Sequence, residues 1–112
     1  MKFEARIEGS LIRCTVTPDR DLAAPVFCFS SMVPSVSVDG LARLKSIGGY
    51  SEIQLPDVQA DQAFDFDLAY ENAEFSPANR AWLPLGAYLR SGDEIFPLPA
   101  LQPAGVQQGS VV

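Results

Sequence analysis

Residues 64–70 constrain this chain most. Phe64, Phe66, Leu68 and Tyr70 alternate with Asp65, Asp67 and Ala69. A period of two puts successive side chains on opposite faces of a strand, so this segment predicts a strand with its large apolar groups inward and its carboxylates in water. A helix would scatter the same residues around its surface. Nine prolines and eight glycines mark turns along the chain.

The other runs follow the same rule. Residues 85–98 read as a C-terminal β-hairpin. Leu85, Ala87 and Leu89 alternate with Gly86, Tyr88 and Arg90, Ser91-Gly92-Asp93 reverses the chain, and Glu94-Ile95-Phe96 returns until Pro97 limits the pairing. Residues 3–8 alternate weakly. Residues 11–17 alternate better, with Ile12, Cys14 and Val16 on one face. Residues 26–31 are apolar on both faces, as expected of a central strand covered on both sides, by the domain itself or by something outside it. Pro34 confines residues 35–38 to an edge or a separate short strand. Residues 40–47 suit an extended segment better than a helix, because they lack length and a clear stripe and Gly48-Gly49 follows. Residues 50–55 alternate with Ile53 and Leu55 on one side, and residues 59–62 are loop-like. An irregular acidic connection, residues 71–79, leads to the loop that carries Trp82, the single tryptophan.

The sum is an all-β chain. We expect an immunoglobulin-like or carbohydrate-binding-type β-sandwich of seven or eight short strands over residues 1–101, with residues 102–112 as a C-terminal linker or frayed tail. At 112 residues and 47% hydrophobic content, the chain suffices for a two-layer core without metal or disulfide staples.

Charge and residue inventory narrow the function. The net charge of −6 repels phosphate backbones and anionic lipid, so neither nucleic acid nor a membrane surface is an expected partner. Histidine is absent, which removes the usual general base and the commonest metal ligand. No apolar run approaches the ~20 residues of a membrane span. The first six residues lack the apolar core of a signal peptide, so the expected location is cytoplasmic. Cys14 and Cys28 fall on adjacent predicted strands, and in a reducing compartment two buried free thiols are expected.

Candidate sites are sparse. Asp65 and Asp67 have the spacing of a carboxylate pair, but also that of a solvated strand face. Asp57, Asp61, Asp65, Asp67, Glu71 and Glu74 are potential oxygen ligands without the loop pattern of a calcium site. Ser30-Ser31 lacks a nucleophile elbow and a histidine, and Gly48-Gly49 lacks the following Lys-Ser/Thr of a phosphate loop. No catalytic residue, metal ligand or cofactor site is expected. Tyr50, Trp82 and Tyr88 remain as an aromatic set, suited to a sugar ring's apolar face or to an interdomain contact, and equally to a core.

Several segments resemble a known family. Val26-Phe27-Cys28-Phe29-Ser30-Ser31-Met32-Val33-Pro34 is similar to the Phe-x-Leu-x-Phe-Thr/Ser-Ser stretch in the N-terminal domain of bacterial β-N-acetylhexosaminidases of glycoside hydrolase family 20. Gly40-Leu41-Ala42-Arg43-Leu44 resembles that domain's Gly-x-Leu-x-Arg, and Tyr50-Ser51-Glu52-Ile53-Gln54-Leu55-Pro56-Asp57 its Glu-Phe-x-Pro-Pro-Asp segment. Pro84-Leu85-Gly86-Ala87-Tyr88-Leu89, with the turn at Asp93, resembles its Ser-Ala-Tyr-Leu-x-Leu-x-Asp-Gly hairpin. The family's histidine before the Glu-Phe segment has no counterpart here, where Tyr50 and Ser51 stand. The resemblance implies a non-catalytic accessory domain whose partner is the catalytic domain of the same polypeptide. Hydrolysis in this family belongs to a (β/α)8 barrel of about 250 residues, so no catalytic residue transfers to this chain. Two alternatives stay open: a carbohydrate-binding module for N-acetylglucosamine-containing oligosaccharide, using Trp82 and Tyr88, and an immunoglobulin-like protein-interaction domain.

Overall fold

The computed structural model describes residues 1–8, 11–30, 36–38, 41–47, 49–70 and 84–100. These contain nine strands, one or two more than the expected number: β1 (Lys2–Glu8), β2 (Leu11–Thr17), β3 (Val26–Ser30), β4 (Val36–Val38), β5 (Arg43–Ile47), β6 (Tyr50–Gln54), β7 (Phe64–Tyr70), β8 (Leu85–Ser91) and β9 (Glu94–Pro97). All pairings are antiparallel. One sheet has the order β1-β2-β7-β4 and the other β5-β6-β3-β8-β9. The two pack on each other, as in a β-sandwich. Among the described residues there is no helix, and therefore none long and apolar enough to cross a membrane. The connection at residues 71–79, the tail and Trp82 lie outside the described residues.

The alternation in residues 64–70 sets the register of the first sheet. Ile12, Cys14 and Val16 on β2 lie opposite Leu68, Phe66 and Phe64 on β7. The intervening residues pair across the outer face: Arg13 donates to Asp67 (Nε–Oδ1 2.6 Å), and Thr15 Oγ donates to Asp65 (2.7 Å). Phe66 and Leu68 are buried as expected, while Phe64 is half-buried at the rim of the core.

Phe27, on the central strand of the second sheet, joins the two layers. Its ring lies 5.0 Å from Phe66 and 5.5 Å from Phe3, centroid to centroid. Phe29, Ile53, Ala87 and Leu89 complete the second sheet's inner face. At one end, Leu22 and Val58 form a bridge. The Asp57 carboxylate accepts the Ala24 N–H and that of Asp21 accepts the Ala60 N–H, which ties the two long connections together.

Two expectations need correction. Cys14 and Cys28 are free and buried, but they lie in different sheets, on strands that do not pair. Cys14 faces the core, whereas Cys28 lies on the outer face of its sheet, since it is opposite Glu52 and Tyr88 and alternates with the core residues Phe27 and Phe29. Leu85 does not share a face with Ala87 and Leu89. Cys28 pairs with Tyr88 and Ser30 with Leu85, so Gly86 and Ala87 together stand against Phe29 in a β-bulge. Gly86 adopts φ +57°, a conformation glycine reaches without a Cβ clash. The extra residue turns Leu85 outward, where it is 47% exposed.

The hairpin forms where expected, with Gly92 at φ +61° in the two-residue turn between β8 and β9. Pro97 ends β9, but one more backbone bond follows it, from Leu98 N–H to the Ala87 carbonyl.

Candidate functional site

The outer face of the five-stranded sheet brings together Tyr50 and Tyr88 with residues that the sequence did not single out. Cross-strand register builds it in rows. Lys45, Glu52, Cys28, Tyr88 and Pro97 lie side by side across β5, β6, β3, β8 and β9. On one side of that row run Ile47, Tyr50, Ser30 and Leu85. On the other run Gln54, Val26, Arg90 and Ile95.

A closed hydrogen-bond network sits at the centre. The Arg90 guanidinium meets the Glu52 carboxylate as a fork, at 2.9 Å (Nη1–Oε2) and 3.3 Å (Nη2–Oε1). The Tyr50 hydroxyl donates to Glu52 Oε2 at 2.7 Å. Because that donates its only proton, Tyr88, whose hydroxyl lies 2.9 Å from that of Tyr50, is the donor to the Tyr50 oxygen. Proton donation thus runs from Tyr88 through Tyr50 to Glu52, with Arg90 closing the carboxylate's other side.

The electrostatics follow from these contacts. Glu52 is only 7% exposed. Its hydrogen bonds from Arg90 and then Tyr50 hold its carboxyl near 2, below the usual carboxylate range, against the opposing effect of burial. Burial, together with hydrogen bonds to Tyr88 and Glu52, raises the Tyr50 phenol, and the bond to Glu52 raises Arg90. Tyr50 therefore stays neutral and the ion pair stays charged at neutral pH. Cys28, fully buried, lies in register between Glu52 and Tyr88. Its thiol lies 3.7 Å from the Val26 carbonyl. This explains a strand apolar on both faces: Val26 and Cys28 look outward but are sheltered by their longer neighbours.

The chemistry available here is recognition and packing. A carboxylate already accepting three hydrogen bonds is a poor general base, and its depressed pKa makes it a poor general acid at neutral pH. Elsewhere, Asp65 and Asp67 are engaged by Thr15 and Arg13, and burial pushes the Cys14 thiol up, leaving it unreactive. Among the described residues, no group of three or more His, Cys, Asp or Glu is placed to hold a metal ion; Glu71 and Glu74 lie outside them.

Of the three aromatic candidates, Tyr50 and Tyr88 come together on this face, and Trp82 lies outside the described residues. Glu52 and Arg90 were missed because they are far apart in sequence, and only the pairing of both β6 and β8 with β3 brings them within reach. The available signal was parity: Glu52 and Arg90 alternate with the core residues Ile53 and Leu89. Comparison with protein-family models, curated proteins and solved structures finds no match for this chain.

Proposed function

We propose that this chain is a non-catalytic N-terminal accessory domain of a β-N-acetylhexosaminidase-like glycoside hydrolase, packing on the rest of its enzyme. The proposal starts from the motif resemblance in residues 26–34, 40–44, 50–57 and 84–93. The structural observation that carries it is the contrast between the two outer faces. That of the four-stranded sheet carries the ion pairs Arg6–Glu8 and Arg13–Asp67 and the polar pair Thr15–Asp65, as expected of a solvated face. That of the five-stranded sheet presents Tyr50, Tyr88 and Arg90, residue types enriched at interfaces, flanked by the exposed apolar Ile47, Leu85 and Ile95.

The strand orders support immunoglobulin-like layering, with four strands against five as in variable-type domains. The chain path departs from that type, since β4 joins the four-stranded sheet before β5 and β6 return to the other.

The carbohydrate-binding alternative uses the same face, with Tyr50 and Tyr88 as platform. The closed network weighs against it, because a sugar hydroxyl reaching Glu52 has to displace bonds already made. The immunoglobulin-like interaction domain differs only in its partner. The deciding experiment has two arms. Translation of the gene beyond Val112 is expected to run into a barrel, and a stop codon there overturns the reading. Titration of the chain with diacetylchitobiose in a calorimeter is expected to give no saturable heat; a saturable isotherm moves the function to the carbohydrate-binding module.

A further inference from the structure

β1 ends the four-stranded sheet, and among the described residues no strand lies beside its outer side. The other three sheet edges are blunted in ways that discourage strand addition. β4 has three residues, β5 has a register shift between Arg43 and Lys45, and β9 has four residues and ends at Pro97. β1 has none of these devices. It runs for seven residues without proline, glycine or a break in its register against β2. Alternate residues along it turn their N–H and C=O groups away from β2, ready to pair with another strand.

The sequence of β1 is its own complement. A two-fold axis perpendicular to the sheet keeps the core faces of two copies on one side. Such an axis must centre on a residue, because side chains directly opposite share a face. Centred on Ala5, all seven residues pair: Lys2 falls opposite Glu8, Glu4 opposite Arg6, Phe3 opposite Ile7, and Ala5 opposite its own counterpart. Both charged pairs are of opposite sign, and the symmetry makes each of them twice. Centred on Glu4, Lys2 falls opposite Arg6 and Glu4 opposite Glu4. Centred on Arg6, Glu4 falls opposite Glu8 and Arg6 opposite Arg6. Every charged pair in those two registers sets like against like, and fewer residues pair. Lys2, Glu4, Arg6 and Glu8 are all exposed and sum to zero, so this edge adds nothing to the repulsion between two chains of net charge −6. Arg6 also stands beside Arg13 of β2, and Glu4 of a second copy is the counter-charge on its open side.

We propose that two copies of this chain join antiparallel through β1, centred on Ala5, into one continuous sheet of twice four strands. Backbone hydrogen bonds supply the affinity, and the alternating charges choose partner and register. The charges point to a second copy. A strand that complements β1 must carry basic, acidic, basic and acidic residues, in that order, at alternate positions, and β1 is itself such a strand. The contact is isologous and closes at two copies. It lies in the other sheet from Tyr50 and Tyr88, so it neither uses nor needs the accessory role.

Sedimentation equilibrium of the chain from about 10 µM to about 1 mM tests this. The apparent mass is expected to rise from one chain toward two. Glu4→Arg and Arg6→Glu each set like charges opposite at two places, and each is expected to weaken association about tenfold or more. Both side chains are exposed, so folding tolerates the changes. Mixed in equal amounts, the two variants are expected to associate with each other as strongly as wild type does with itself, because the acidic positions of one then face the basic positions of the other. The double variant Glu4→Arg/Arg6→Glu is expected to regain self-association. A wild-type monomer at every concentration overturns the dimer and leaves the accessory reading standing, whereas a saturable diacetylchitobiose isotherm does the reverse. A dimer that ignores both single changes, or two variants that stay monomeric when mixed, also overturns it.

Discussion

Glu52 shows how much one side chain depends on its neighbours. Removing Arg90 leaves a nearly buried carboxylate with the Tyr50 hydroxyl alone. Arg90→Leu should therefore destabilise the fold by about 2–3 kcal/mol, while Glu52→Gln, which keeps a hydrogen-bond acceptor, should cost less. The low pKa of Glu52 sets a pH dependence with a definite sign. Its folded value, near 2, lies below its unfolded value of about 4.5. The stabilisation is thus complete above about 4.5 and is lost as pH falls toward 2, and it amounts to a few kcal/mol at most. Chemical denaturation of wild type and Glu52→Gln between pH 7 and pH 2 checks this: the two curves should converge at the acid end. Parallel curves mean the carboxylate is not held as described. Nothing in the local sequence around Glu52 announces this role, because its long-range partner, Arg90, lies on β8, two strands away in the sheet.

At the scale of elements, alternation was legible and its interruptions were not. The pattern in residues 64–70 placed Phe66 and Leu68 inward correctly, because a strand buried on one face admits only one register. Phe66→Ala should cost about 3–5 kcal/mol. Asp67→Asn, which weakens a partly exposed pair with Arg13, should cost about 1 kcal/mol or less. Urea melts of the two variants decide the register: a larger loss from the aspartate change reverses the faces. The pattern failed at Leu85 because a bulge adds one residue to β8 and shifts the face of everything before it. Gly86 carried the signal, but a glycine inside a strand is also read simply as a weak spot. With φ +57° and nothing within 4 Å of an added Cβ, Gly86→Ala should cost only the backbone strain, about 1 kcal/mol. A much larger loss would mean that the bulge is tighter than its geometry indicates. The cysteines mark the same limit: succession in sequence placed their strands side by side, whereas the chain crosses between sheets from β2 to β3.

For the whole molecule, the pairing order makes a kinetic prediction. β2 pairs with β7 and β3 with β8, so the central partners of both sheets are separated by about fifty to sixty residues. Loop-closure entropy must be met before those pairings reward it, which places folding in the millisecond-to-second range typical of sandwiches, slower than helical domains of this size. Phe27 touches Phe3 and Phe66 across the layers, so neither sheet keeps its core without the other, and unfolding should be a single transition. Within the native state, protection should follow position. Amides of β2, β3 and β7 lie between two neighbours, whereas β1, β4, β5 and β9 are edges, with a bulge in β5 and a proline ending β9. Hydrogen exchange should therefore be slowest in Ile12, Cys14, Phe27 and Phe66 and fastest along β4, β5 and β9. Stopped-flow circular dichroism and amide exchange read the two halves of the argument separately. Two resolved unfolding transitions, with one sheet surviving the other, would contradict the single shared core. Slow exchange in β5 or β9 would show an edge paired or covered by a partner.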